Sequence, residues 1–437
     1  MAVNMRTLAG ILLAILQFHA LIRCDDKTPN IANMDNSYKR CDGKPKARLD
    51  FSAAKTGSNK LKRVCYYTPF HHVQPNLTAL NLTLCTHVIY GFAHVEKNFT
   101  LGPKNATLDP GRYKNFTSYV KSLHPEVKTL LCVSEGNFSL MVNTSKNIKK
   151  FLRSTMKKLQ AWGFDGLDVD WEFPKRDDRK NFVVFLQEAN ATLKKSNKLL
   201  AIALPVWSRY INKSYNDTAM VKNMSDAIDF ANIMAYDYNV YNYRYRNFTG
   251  PNAPLYQWTS RTPDDSQRYV EWSVEYWSET LKMPKEKIVV GIPFFGRRFN
   301  LTDAAQKHQF WAGAQNSTFG WGGKVTFNWT CSHFLNRNAI VVYDNASRTP
   351  YAYNVRKSTW VSYDNRKSVC EKVNWTMSNG YGGVMSYAFD NDDVHNHCGM
   401  GKFPLQTTIY DAVRYKEIRS NSNTYPVLDC ERLYQNT

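Results

Sequence analysis

The sequence predicts a closed (β/α)8 barrel, an α/β fold of the TIM type, with a small α+β insertion domain before its last strand. Three observations lead there. From about residue 61, short apolar runs rich in Val, Ile and Tyr alternate with longer amphipathic segments; eight such runs fit within about 350 residues; and one interval of about eighty residues breaks the rhythm. Buried strands joined by helical crossovers must form a parallel sheet, and closure of that sheet removes its edges.

The chain has 437 residues, of which 43% are hydrophobic and 14% aromatic, enough apolar surface for one large domain. Disorder throughout, a collagen-like chain and a small disulfide knot are excluded. Residues 1–24 place Arg6 ahead of an apolar stretch from Leu8 to Leu21 and are expected to be a secretory signal peptide, cleaved near Cys24. Gln17 and His19 shorten that stretch below spanning length, and no later run approaches the roughly 18 to 20 apolar residues that cross a bilayer. Residues 25–60 read as a polar, basic arm, 61–410 as the barrel, and 411–437 as a tail whose single cysteine leaves no room for a further cysteine-rich module.

Period-two and apolar runs place strands at Arg63–Thr68, His87–His94, Lys128–Ser134, Gly166–Phe173, Leu199–Val206, Ala227–Asp237, Lys287–Arg297 and Gly382–Asp390. Helices fit Ser139–Trp162, Arg179–Ser196, Asp265–Met283 and Leu405–Arg419, where apolar residues recur at three and four spacing. The interval 298–380, rich in Trp, Phe, Tyr, Gly and Asn, is too long for a simple connection and predicts the insertion, one wall of a cleft.

Seventeen Asn-X-Ser/Thr sequons, from Asn76 to Asn374, point to an extracellular glycoprotein. Nine cysteines fall to eight once Cys24 leaves, an even number that suggests disulfides, although Cys132 in an apolar run suits a buried thiol as well as a bridge. The net charge of +20 favours anionic partners such as sulfated glycans, yet the basic residues are spread along the chain apart from 39–63, and no nucleic-acid motif accompanies them.

The segment from Gly163 to Pro174 carries the chemistry. Side chains alternate along a strand, so Asp168, Asp170 and Glu172 share one face while Leu167, Val169 and Trp171 share the other. Three acids in a confined barrel interior must share protons, which drives their pKa values apart and suits proton transfer near neutral pH. Glu172, at the C-terminal barrel face, is the candidate general acid.

At these residues the chain resembles the family 18 glycoside hydrolases, the chitinases and chitinase-like lectins, in an arthropod-type secreted form. The resemblance rests on Asp165-X-X-Asp168-X-Asp170-X-Glu172, supported by Cys65-Tyr66-Tyr67-Thr68, Met234-Ala235-Tyr236-Asp237, Gly291-Ile292-Pro293-Phe294-Phe295-Gly296-Arg297 and Gly382-Gly383-Val384-Met385. It implies substrate-assisted, retaining cleavage of β-1,4-linked N-acetylglucosamine, in which the substrate's acetamide attacks the anomeric carbon. Glu172 would protonate the leaving oxygen, Asp170 would orient the acetamide, and Asp168 would hold a proton behind it. Tyr236 would hydrogen-bond the acetamide, Met234 and Asp237 would line the same subsite, and Arg297 would reach a neighbouring sugar. Tyr66, Phe70, Phe138, Asp165, Met385 and Tyr387 complete the implied substrate-binding set. The resemblance also pairs Cys65 with Cys85 and Cys331 with Cys398, leaving Cys41, Cys132, Cys370 and Cys430 unassigned. Chitin or chito-oligosaccharides are the implied partners, anionic glycans a further one through the basic surface. A monomer is expected, with no metal and no cofactor, since this acid catalysis needs neither.

The chain also departs from the family. Ser134-Glu135-Gly136-Asn137-Phe138 lacks the usual Gly-Gly, and Asn137 opens a sequon that would put a glycan at the cleft rim. Tyr387 stands where the family has a Trp beneath the cleavage point, Phe70 and Phe138 where it often has Trp, and Phe295 where it often has Tyr. Each exchange trims aromatic area or a hydrogen bond. Two readings follow: a secreted endo-type chitinase, or an oligosaccharide-binding lectin or signalling factor of the same fold.

Overall fold

The computed structural model describes residues 61–69, 77–242, 244–261, 265–305, 308–315, 320–419 and 428–434. The expected signal peptide, the basic arm, Cys41 and Phe70 lie outside them. Eight parallel strands close a barrel: Lys62–Tyr67, His87–Val95, Lys128–Gly136, Gly166–Val169, Leu199–Leu204, Phe230–Ile233, Ile288–Pro293 and Gly383–Tyr387. Closure is made by the first strand, which pairs with the last through Lys62↔Gly383 to Cys65↔Ser386 and with the second through Val64↔His87 to Tyr67↔Tyr90.

The core divides as strand parity requires. Val64, Tyr66, Ile89, Leu130, Ala201, Val289 and Met385 fill the barrel interior, while Leu131, Val133, Leu167, Val169, Ile202 and Val290 face the helices. The helix expected at Ser139–Trp162 is two, Phe138–Val142 and Ser145–Trp162. Thr144 divides them because its side chain caps the second by accepting from the Asn147 N–H. In place of one helix at Asp265–Met283, the chain forms a short 3-10 turn, a helix at Val270–Glu275 and a wider turn at Tyr276–Thr280.

Sequence reading passes over three crossover helices. Asp109–Leu123 buries Tyr113, Phe116, Thr117 and Val120, a helical spacing carried by aromatic and β-branched residues amid polar ones. Thr218–Ala227 is short. Arg366–Ser378 is buried on nearly every side, Lys367 and Lys372 included, so it presents no polar face to reveal its period.

The expected seventh strand, Lys287–Arg297, breaks at Phe294. Ile288–Pro293 stays in the barrel, and Phe295–Leu301 opens the insertion. That insertion is a six-stranded antiparallel sheet whose last strand is Thr359–Ser362, after which Arg366–Ser378 returns to the barrel as an ordinary crossover. The inserted unit therefore starts a few residues earlier, and its sheet ends earlier, than composition suggests. Disulfides join Cys65 to Cys85, Cys331 to Cys398 and, unanticipated, Cys370 to Cys430, while Cys132 is a buried free thiol. Among the described residues no helix is long and apolar enough to cross a membrane.

Candidate active site

The fourth strand ends at Val169, short of the expected Phe173, and the chain continues through Asp170, Trp171 and Glu172 at the C-terminal mouth of the barrel. Leu167, Val169 and Trp171 pack into the helix layer, which leaves Asp168 and Asp170 inside the barrel at 0% and 6% exposure.

The two aspartates differ in their partners. Asp168 accepts a hydrogen bond from the Tyr66 hydroxyl at 2.6 Å and one from Asn232 Nδ2 at 3.4 Å. Burial pushes its pKa up to about 6, against the opposing pull of Tyr66, Cys132 and Asn232. Asp170 has a buried Oδ1 with no hydrogen-bond partner. Burial, then the charges of Glu172 and Asp168, lift its pKa well above the carboxylate range. The resemblance implies a proton on Asp168; the donors that reach Asp168 and the orphan oxygen of Asp170 favour Asp170 as the more readily protonated of the two.

Glu172 reaches solvent at the mouth, yet the surrounding walls desolvate it, and burial followed by the charge of Asp237 raises its pKa. Asp237 is gripped by Arg297, whose Nη2 and Nε lie 2.6 and 2.7 Å from Oδ1. Arg297 also donates to the Gly322 carbonyl at 3.2 Å. Tyr236 and Tyr387 form the aromatic floor with ring centroids 5.7 Å apart, and Tyr66 lies 5.5 Å from Tyr387.

These groups line one cleft of about 880 Å³ that includes Tyr66, Asp170, Glu172, Met234, Tyr236, Asp237, Arg297 and Tyr387. Three residues from the implied binding set lie elsewhere. Asp165 precedes the strand at the opposite end of the barrel, where it pairs with Lys121 and accepts from the Thr129 N–H; its odd separation from Asp168 also gives it the other parity. Phe138 is buried in the helix layer, stacked on Trp171 at 5.2 Å. Met385 is fully buried in the barrel, one layer beneath Tyr387. Asn137 is half-buried beside that Phe138 turn and does not line the cleft.

Sequence reasoning also misses part of the wall. Trp207, Arg209, Tyr210, Arg268, Phe248, Trp311 and Lys324 line the same cleft. The aromatic run from Tyr238 to Phe248 was the available signal for one side. Nothing local in the sequence marks Lys324, because its place depends on how the insertion sheet docks.

The model of glycosyl hydrolases family 18 matches residues 62–392. The chain belongs to glycosyl hydrolases family 18. Among family relatives, it is 29% identical over 386 residues to probable chitinase 10 of Drosophila melanogaster, a match that covers 81% of this chain and 16% of that relative. The structure of Ostrinia furnacalis group IV chitinase in complex with allosamidin superposes with a TM-score of 0.75 at 28% identity, covering 81% of this chain and 99% of that one. Human YKL-39, described as a pseudo-chitinase with retained chitooligosaccharide binding properties, superposes at 0.73 with 27% identity, covering 80% of this chain and 99% of that one. The family 18 fold is thus shared with both catalysts and binders.

Proposed function

We propose that the protein is a secreted, endo-acting chitinase-like hydrolase that cleaves β-1,4-linked N-acetylglucosamine with the substrate's acetamide as nucleophile. The observation that carries this reading is the graded stack of Asp168, Asp170 and Glu172, with all three carboxyls present and lifted in pKa. In the proposed reaction Glu172 passes its proton to the leaving oxygen. The acetamide carbonyl oxygen bonds to the anomeric carbon as the glycosidic bond breaks, giving an oxazolinium ion. Asp170, accepting from the acetamide N–H, stabilises that cation as its own proton shifts toward Asp168. Water then opens the ring with Glu172 as base, which restores the acid and retains configuration.

A second reading, an oligosaccharide-binding protein with weak or no turnover, draws support from Tyr387, a smaller ring than a Trp, and from the cation that lies over it. Release of a fluorogenic leaving group from chitobiose and chitotriose glycosides, by wild type beside Glu172→Gln, separates the two. Turnover that falls about a hundredfold or more in Glu172→Gln, with chitotetraose binding kept, is the expected result. Folded wild type that binds chitotetraose without turnover would overturn the enzyme reading in favour of the binder.

A further inference from the structure

Lys324 opens a short strand, Lys324–Thr326, that pairs antiparallel with Phe295–Leu301 so that Lys324 lies directly opposite Arg297. Residues opposite one another in such a pair project from the same face, so two cations sit side by side in the cleft wall, an arrangement that costs stability unless something offsets it. Asp237, a carboxylate whose charge reaches both, is already gripped by Arg297. Asp265, another acid of the cleft, is bound to Arg246 at 2.7 Å. Burial raises the pKa of both Asp170 and Glu172.

The position of Lys324 is built. Gly322 and Gly323, at φ of 58° and 75°, make the turn that delivers it; a Cβ on Gly323 would meet the Arg298 carbonyl at 2.2 Å. The ammonium lies 4.8 Å from the Tyr387 ring centroid and 4.7 Å from that of Phe295, the aromatic floor beneath the acids. Among the described residues its side chain makes no ion pair or hydrogen bond. The charges that face it are Asp237, Arg297 and Asp390, and Asp390 is engaged by the Thr68 N–H at 3.0 Å and by the Thr68 hydroxyl. The cleft thus keeps a cation with open donors at the sugar-stacking floor. A neutral sugar offers that cation no counter-charge.

We propose that Lys324 makes the cleft selective for an N-acetylglucosamine-containing chain that bears an anionic group, a carboxylate or a sulfate ester, on the sugar seated over Tyr387. This rests on the reading that the cleft binds such chains. An anionic oxygen placed on the open donors completes a charge-assisted hydrogen bond and offsets the Arg297–Lys324 repulsion. Burial, followed by the charge of Arg297 and partly opposed by Asp237, lowers the Lys324 pKa to about 8. The cation is therefore present below that pH, and the selectivity fades as pH rises through it.

The test is calorimetric binding of three tetrasaccharides to the full chain: neutral chitotetraose, 6-O-sulfated chitotetraose, and one alternating glucuronate with N-acetylglucosamine. Wild type is expected to bind at least one anionic probe about tenfold more tightly than the neutral one at pH 6, with the ratio shrinking in high salt and at pH 9. Which probe gains tells carboxylate from sulfate. Lys324→Met should bring the anionic-to-neutral ratio to about one, whatever its effect on neutral binding, and Lys324→Arg, which keeps the charge, should preserve the ratio. Equal wild-type affinity for all three probes, or a preference that survives in folded Lys324→Met, overturns the proposal and leaves the family reading standing. If none of the three binds, the reading of the cleft itself falls.

Discussion

Asp165 and Asp170 are the same residue type, five positions apart at opposite ends of one strand, and the fold treats them in opposite ways. Asp165 keeps part of its surface in water, pairs with Lys121 and takes a hydrogen bond from the Thr129 N–H at 2.7 Å. Asp170 lines the cleft almost fully buried, with an orphan oxygen and two acidic neighbours. A carboxylate with donors holds a structure together, whereas one without them stores a proton and costs stability. The difference teaches that the acidic motif mixes two jobs, and substitutions can separate them.

The largest effect is expected at Asp170. Asp170→Asn should lower turnover by about a hundredfold or more, yet raise stability at pH 7 by about 1–3 kcal/mol because a buried, unpaired carboxyl becomes a neutral amide. Chemical denaturation and the fluorogenic assay read both; a loss of stability would contradict the assigned burial cost. The sign follows from linkage. A carboxyl whose folded pKa is raised favours the folded state below its ordinary pKa and opposes it increasingly as pH climbs. For Asp168 that climb runs from 3.8 to about 6.

Asp165→Ala should do the reverse. It removes the acceptor for Lys121 and the Thr129 N–H and should cost about 2–3 kcal/mol, with kcat unchanged in what remains folded. A fall in kcat with KM steady would place Asp165 in the chemistry after all. Tyr66→Phe comes next: it deletes the 2.6 Å donor that favours the Asp168 anion, so the acid limb of the pH–rate profile should move up by about one unit. An unmoved limb would mean that Asp168 does not govern it. The smallest effect belongs to Lys121→Met, whose partly exposed ion pair should cost under about 1 kcal/mol.

Much of the fold was legible because periodicity is local. The fourth strand showed its parity in the alternation of Leu167, Val169 and Trp171 with the acids, and the barrel followed from eight such strands. Helix Arg366–Ser378 was not legible, since burial on nearly all sides erases the polar face that reveals a period. Neither was the Cys370–Cys430 bridge, because pairing depends on where a distant segment docks. The site shows the same limit. Glu172, Tyr236 and Asp237 sit next to motifs, whereas Met385 has the parity of the cleft floor and lies one layer too deep.

By itself the sequence determined the barrel and the acid stack, because each is written in residue type and spacing along one segment. Tertiary structure alone decided which aspartate has donors to hold its anion, since Tyr66 and Asn232 come from two other strands. It alone set Lys324 over Tyr387, because that contact joins the insertion sheet to the last barrel strand across more than sixty residues of chain. Charge and hydrogen bonding act through space, and no spacing rule along a chain encodes which partners will meet there.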